Sequence, residues 1–138
     1  MKVLFLEDLA GKSESEIKEH IAGNYSGSVS GFDYGEPTDS DINKVREELK
    51  EFSILIAYEH VGSWGCDSSS YFLLKKSDGS YYEFSGSHCS CYDFEGQFDL
   101  QCAPLEYLKS DRFSFYCGGY DDNSEENEKL VKEFVSAL

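Results

Sequence analysis

The chain has 138 residues, with 27 acids against 12 bases and a formal charge of −15 at pH 7. That length suits one domain, 1–138, able to bury a core without disulfide or metal staples, and ten Phe and ten Tyr bring enough buried area to exclude a disordered acidic chain. The charge excludes direct binding to nucleic acid or an anionic membrane, and no apolar run approaches the roughly 18 residues of a membrane span.

Residues 2–6 read as a short buried strand. Ser13 and Glu16 have capping-box spacing, and Ile17 with Ile21 makes an apolar stripe, which predicts a helix from about Ser15 to Ala22. Asn24 to Gly35 reads as a loop or irregular strand. After Pro37, one of Thr38, Asp39 or Ser40 can cap a second helix whose apolar face is Ile42, Val45, Leu49 and Phe52. Its other face carries Lys44, Arg46, Glu47, Glu48, Lys50 and Glu51.

Ser53 to Tyr58 is a continuous apolar run, as expected of a central strand, and Tyr71 to Lys75 is a second strand. Ser77-Asp78-Gly79-Ser80 carries a hairpin signal, and Tyr81 to Phe84 returns as a third strand, predicting an antiparallel meander. Phe98 to Cys102 and Phe113 to Cys117 are further short strands, with a helical turn at Pro104 to Leu108 between them. A last helix, Ser124 to Leu138, buries Leu130, Val131, Phe134, Val135 and Leu138. The expected fold class is α+β: an antiparallel sheet of four to five strands with two to three helices packed on one side.

The densest chemistry lies in Gly86-Ser87-His88-Cys89-Ser90-Cys91-Tyr92-Asp93-Phe94-Glu95-Gly96-Gln97. His88, Cys89 and Cys91, completed by Cys66 or Cys102, could supply the four ligands of a zinc site. Against this, Cys-x-Cys is not the usual Cys-x-x-Cys knuckle, an extended chain points His88 away from the two thiols, and buried free cysteines commonly serve as packing. His88 or His60 could activate Cys89 or Cys91, with Asp93 or Glu95 orienting the imidazole, but acidic surroundings oppose thiolate formation. Asp93, Glu95 and Asp99 fit acid–base work and fit equally a solvated edge. Phosphate-loop, dinucleotide and serine-elbow motifs are missing. The odd count of five cysteines and the short, acid-terminated Val3–Leu6 run, too short for a signal peptide, predict a cytoplasmic chain whose cysteines are reduced thiols, metal ligands or a mixture.

The stretch from Ile54 to Leu108 resembles a family of small phage and prophage proteins. The shared features are a strand, a charged hairpin at Asp78-Gly79, the run Gly86 to Tyr92, and Glu95-Gly96-Gln97. Asp93-Phe94 stand where the family carries Gly and an aliphatic residue, and Phe98 where it carries Trp. The family brings no activity with it; the resemblance implies an accessory protein of a bacterial virus that acts inside the host cell.

Two readings of function follow. In the first the chain is not an enzyme and has no cofactor. It binds and inhibits a basic host protein, nucleic-acid-binding or defence-related, by mimicking nucleic-acid charge. Its contacts are Trp64, Glu36, Asp39, Asp41, Glu47, Glu48, Glu51, Asp121, Asp122, Glu125 and Glu126. In the second, His88, Cys89 and Cys91 with Cys66 or Cys102 build a zinc-binding domain or small enzyme.

Overall fold

The structure is a computed structural model that describes residues 2–27, 38–61, 68–88, 94, 96–113 and 124–138, with His88 and Ser124 described through their backbone. Among these residues five strands form one sheet in the order β1 (Leu4–Glu7), β2 (Phe52–His60), β3 (Ser68–Lys76), β4 (Tyr81–His88) and β5 (Gln101–Cys102). The helices are α1 (Glu14–Tyr25), α2 (Asp39–Leu49), α3 (Leu105–Leu108) and α4 (Ser124–Ser136). The fold is α+β. None of the helices described is long and apolar enough to cross a membrane.

Local chemistry sets the helix starts. The Ser13 hydroxyl accepts the Glu16 amide at 3.2 Å, and the Glu16 carboxyl accepts the Ser13 amide at 3.3 Å. Thr38 and Asp41 repeat the same reciprocal cap on α2, at 3.2 and 3.0 Å. The apolar stripe of α2 ends at Leu49; Phe52, which the spacing assigns to the helix, instead begins β2 and is buried there.

The sheet is mixed, not wholly antiparallel. β1 lies parallel to β2, with Leu4 beside Ile56 and Glu7 beside Glu59. Parallel neighbours need a long crossover, and α1 with α2 provides it. β2, β3, β4 and β5 pair antiparallel in sequence, and the β3–β4 hairpin turns at Gly79 with φ 94°. The Asp78 carboxyl accepts the Ser80 hydroxyl and then the Ser80 amide there, which holds its pKa below the usual carboxylate range.

The helices cover both faces, so the expectation that they share one side is corrected. Ile17, Ile21, Tyr25, Val45 and Leu49 pack with Ile54, Ala57, Phe72, Leu74 and Phe84 on one face. Leu108, Phe113, Val131, Phe134 and Val135 pack with Leu55, Ile56, Tyr58, Tyr71 and Leu73 on the other. Strand alternation produces this two-sided core. A bulge in β2 shifts the register between Ile54 and Ile56, so these two fall on opposite faces although an even spacing would put them together. Glu7 closes β1 with φ 55°, and its carboxyl accepts the Asn127 side-chain amide of α4 at 2.8 Å. Phe113, the start of the last predicted strand, is buried outside any strand; residues 114–117 lie outside the described residues.

Candidate functional site

β4 runs four residues beyond its predicted end, so Gly86 and Ser87 of the conspicuous motif are strand residues. Gly86 lies opposite Ser70 and beneath the rings of α1 and the returning chain. A Cβ at this position would meet Ser70 Oγ at 2.7 Å, Phe94 at 2.9 Å and Tyr25 at 3.1 Å. Phe94 is buried and stacks on Tyr25, with ring centroids 4.8 Å apart. The chain then turns through Gly96 (φ 78°), whose amide donates to the Ser26 carbonyl, and the Phe98 amide donates to Tyr25. Gln97 finishes the closure. Its side-chain oxygen accepts the Ser87 amide at 2.8 Å, and its side-chain nitrogen donates to the Ser87 carbonyl at 2.9 Å. A side-chain amide thus pairs with the edge of β4 as a neighbouring strand would. The described part of the motif is architectural: Gly86 admits the rings, Phe94 plugs the core and Gln97 closes the edge.

Beneath this closure lies a buried acid. Glu59 is 4% exposed. Its Oε2 accepts the Tyr25 phenol at 2.6 Å and lies 2.8 Å from Nε2 of His20. Nδ1 of His20 lies 3.2 Å from the Asn24 side-chain amide nitrogen. Amide nitrogen can only donate, so Nδ1 accepts, and Nε2 carries the proton that faces Glu59. Both ring nitrogens are committed, which makes His20 a structural link between α1 and β2. Burial, with Glu59 beside it, raises the Tyr25 phenol far above the ordinary tyrosine range.

A second acid–phenol group sits on the other face. Tyr71 donates to Glu83 at 2.6 Å, and burial followed by the Glu83 charge raises its pKa far above normal. Tyr107 is raised in the same way, by burial and then by Glu83. Beside this group a cleft of about 500 Å³ opens along the edge of β4, between the Gln97–Ser87 closure and the β4–β5 pairing. It is lined by Tyr71, Glu83, Ser85, Asp99, Gln101 and Tyr107, and reaches Ser70 and Gly86 on the opposite face. None of its described lining residues is a lysine or arginine.

Cys66, Cys89, Cys91, Trp64, Glu36, Asp93, Glu95, Asp121 and Asp122 lie outside the described residues, as does the side chain of His88. Cys102 is exposed on β5, opposite Tyr82, and His60 ends β2 opposite Ser69. Among the described residues no group of three or more His, Cys, Asp or Glu side chains could hold a metal ion. Asp39, Glu47, Glu48 and Glu51 are exposed at α2, and Glu125 and Glu126 on the first turn of α4.

The α2 surface is not a continuous anionic face. Glu47 pairs with Lys50 at 2.7 Å and Glu51 with Lys76 at 3.8 Å, while Arg46 forks onto Glu19 of α1 with two 2.8 Å hydrogen bonds. The Arg46 hydrogen bond holds the Glu19 pKa low, and the Thr38 amide does the same for Asp41, which is spent on the cap. Asp39 and Glu48 make no ion pair among the described residues.

Sequence reasoning passed over Glu59, Glu83 and the tyrosines that hold them. Glu59 carried a visible signal, an acid following the apolar run Ile54–Tyr58. Glu83 had none, because an acid beside two tyrosines on a predicted hairpin strand also fits a solvated face. No known protein family, no curated protein and no solved structure matches this chain.

Proposed function

We propose that this chain is a binding protein that occupies the basic, nucleic-acid-binding surface of another protein and inhibits it, presenting carboxylates where phosphates would sit. One observation carries the reading: 27 acids face 12 bases, so pairing every lysine and arginine with an acid would still leave a net charge of −15. Lys18, Arg46, Lys50, Lys76 and Lys132 sit beside carboxylates among the described residues, which leaves the excess of acids over bases unchanged. A field of this sign speeds encounter with a basic partner and repels nucleic acid. A bacterial host as the setting is part of the proposal and rests only on the sequence resemblance of residues 54–108, since no known family matches the chain.

The geometry narrows the expected contacts. Asp41 is committed to a cap, and Glu47 and Glu51 to neighbouring lysines. Asp39, Glu48, Glu125 and Glu126 remain as exposed acids without an ion pair among the described residues.

The test is retention of a partner from bacterial lysate on immobilised protein, followed by elution with salt or with duplex DNA. A basic nucleic-acid-binding protein released by both is the expected result. A partner that persists in about 1 M salt, where the Debye length falls to about 3 Å, or that ignores competing DNA, overturns the reading.

A further inference from the structure

We propose that the cleft beside β4 receives one guanidinium group, an arginine side chain of the basic partner; this rests on the reading above and names a contact point for it. Two carboxyl groups, Glu83 and Asp99, line the cleft, and no cation does so among the described residues. Glu83 is held by the Tyr71 phenol at 2.6 Å, with Tyr107 beside it, so its orientation is set before any ligand arrives. A carboxylate has about four acceptor sites, so capacity remains for a cation.

The backbone adds an acceptor. The outward-facing groups of β4 alternate: Tyr81 accepts the Ala103 amide, Glu83 lies opposite Gln101, and Ser87 is held by Gln97. By the same alternation the amide and carbonyl of Ser85 also face outward, into the gap between β5 and Gln97.

The acceptors are spread along a strand edge, and two carboxyl groups are too few for a calcium cage of six to eight oxygens. A planar fork of five donors suits a spread of acceptors better than a compact ammonium, and it tolerates an aromatic wall such as Tyr107.

The test titrates isotope-labelled protein with N-acetyl-arginine amide, N-acetyl-lysine amide and the uncharged N-acetyl-citrulline amide. The arginine compound is expected to shift the amides of Ser85, Gly86 and Ser87 and the Gln97 side chain in a saturable manner. Asp99→Asn is expected to weaken this roughly tenfold, the worth of a charge-assisted hydrogen bond. Shifts spread evenly over α2 and α4, equal binding of the citrulline or lysine compound, or an unaltered response in Asp99→Asn each overturn the proposal. A silent cleft combined with salt-sensitive retention of a basic protein removes this inference and leaves the proposed function standing. Salt-insensitive retention removes the proposed function whatever the cleft does.

Discussion

Placing alanine at position 86 would press a methyl group against Ser70, Phe94 and Tyr25 at once. Ser70 can rotate, but Phe94 is backed by Tyr25, which in turn packs edge-on against Phe72 and Phe84. The strain therefore falls on the rings or on β4 itself. Gly86→Ala is expected to cost about 1–3 kcal/mol, the usual penalty for overpacking a filled core, read as a lower urea midpoint at unchanged slope. Adding Ser70→Ala removes the nearest clash and is expected to recover part of the loss, because contacting sites couple. An unchanged midpoint in Gly86→Ala would show that the rings are not seated as described.

At the scale of elements, two phenol–carboxyl pairs tie the layers together: Tyr25 of α1 to Glu59 of β2, and Tyr71 of β3 to Glu83 of β4. Both phenols are buried and raised by that burial, so the folded protein keeps its protons where the unfolded chain releases them near pH 10. Above pH 10 the unfolded state binds fewer protons than the native state, so stability falls as pH rises; below it the stability of these pairs is fully present. The decline is about 1.4 kcal/mol per pH unit for each phenol, followed by denaturation at stepped pH with phenolate absorbance recorded in parallel. Tyr25→Phe is expected to lessen the slope, and phenols that all ionise near pH 10 without unfolding would contradict it. These pairs mark the boundary of what the sequence reveals. Local signals, such as the caps at Ser13 and Thr38, the Asp78-Gly79 turn and the apolar stripe of α4, are legible because each acts over a few residues. The bulge in β2 depends on contacts about 20 residues apart, and the parallel seating of β1 on β2 and the division of helices between two faces on contacts some 50 or more apart, none of which periodicity encodes. The same holds for the site. Gly86 and Gln97 stand out in the motif, but that one admits Tyr25 and the other closes an edge requires knowing where α1 ends.

For the whole molecule, the charge excess acts on folding and on binding with opposite signs. A net charge of −15 on a body this small repels itself, and compaction brings those charges closer together. The attractive pairs on the surface, such as Glu47–Lys50 and Glu128–Lys132, are exposed and contribute little. Raising salt from about 0.01 to 0.15 M shortens the Debye length from roughly 30 to 8 Å. That screens the many long-range repulsions more than the few short-range pairs, so the melting temperature is expected to rise over this range. The same screening weakens attraction to a basic partner, so affinity is expected to fall over the same interval. The two trends are measured on one protein by thermal scans and binding titrations in matched buffers. A melting temperature that falls with salt would mean that paired charges outweigh the excess, and the carboxylates would then be structural neighbours of cations. Affinity that is flat while the melting temperature rises would mean that the excess keeps the protein soluble and plays no part in recognition.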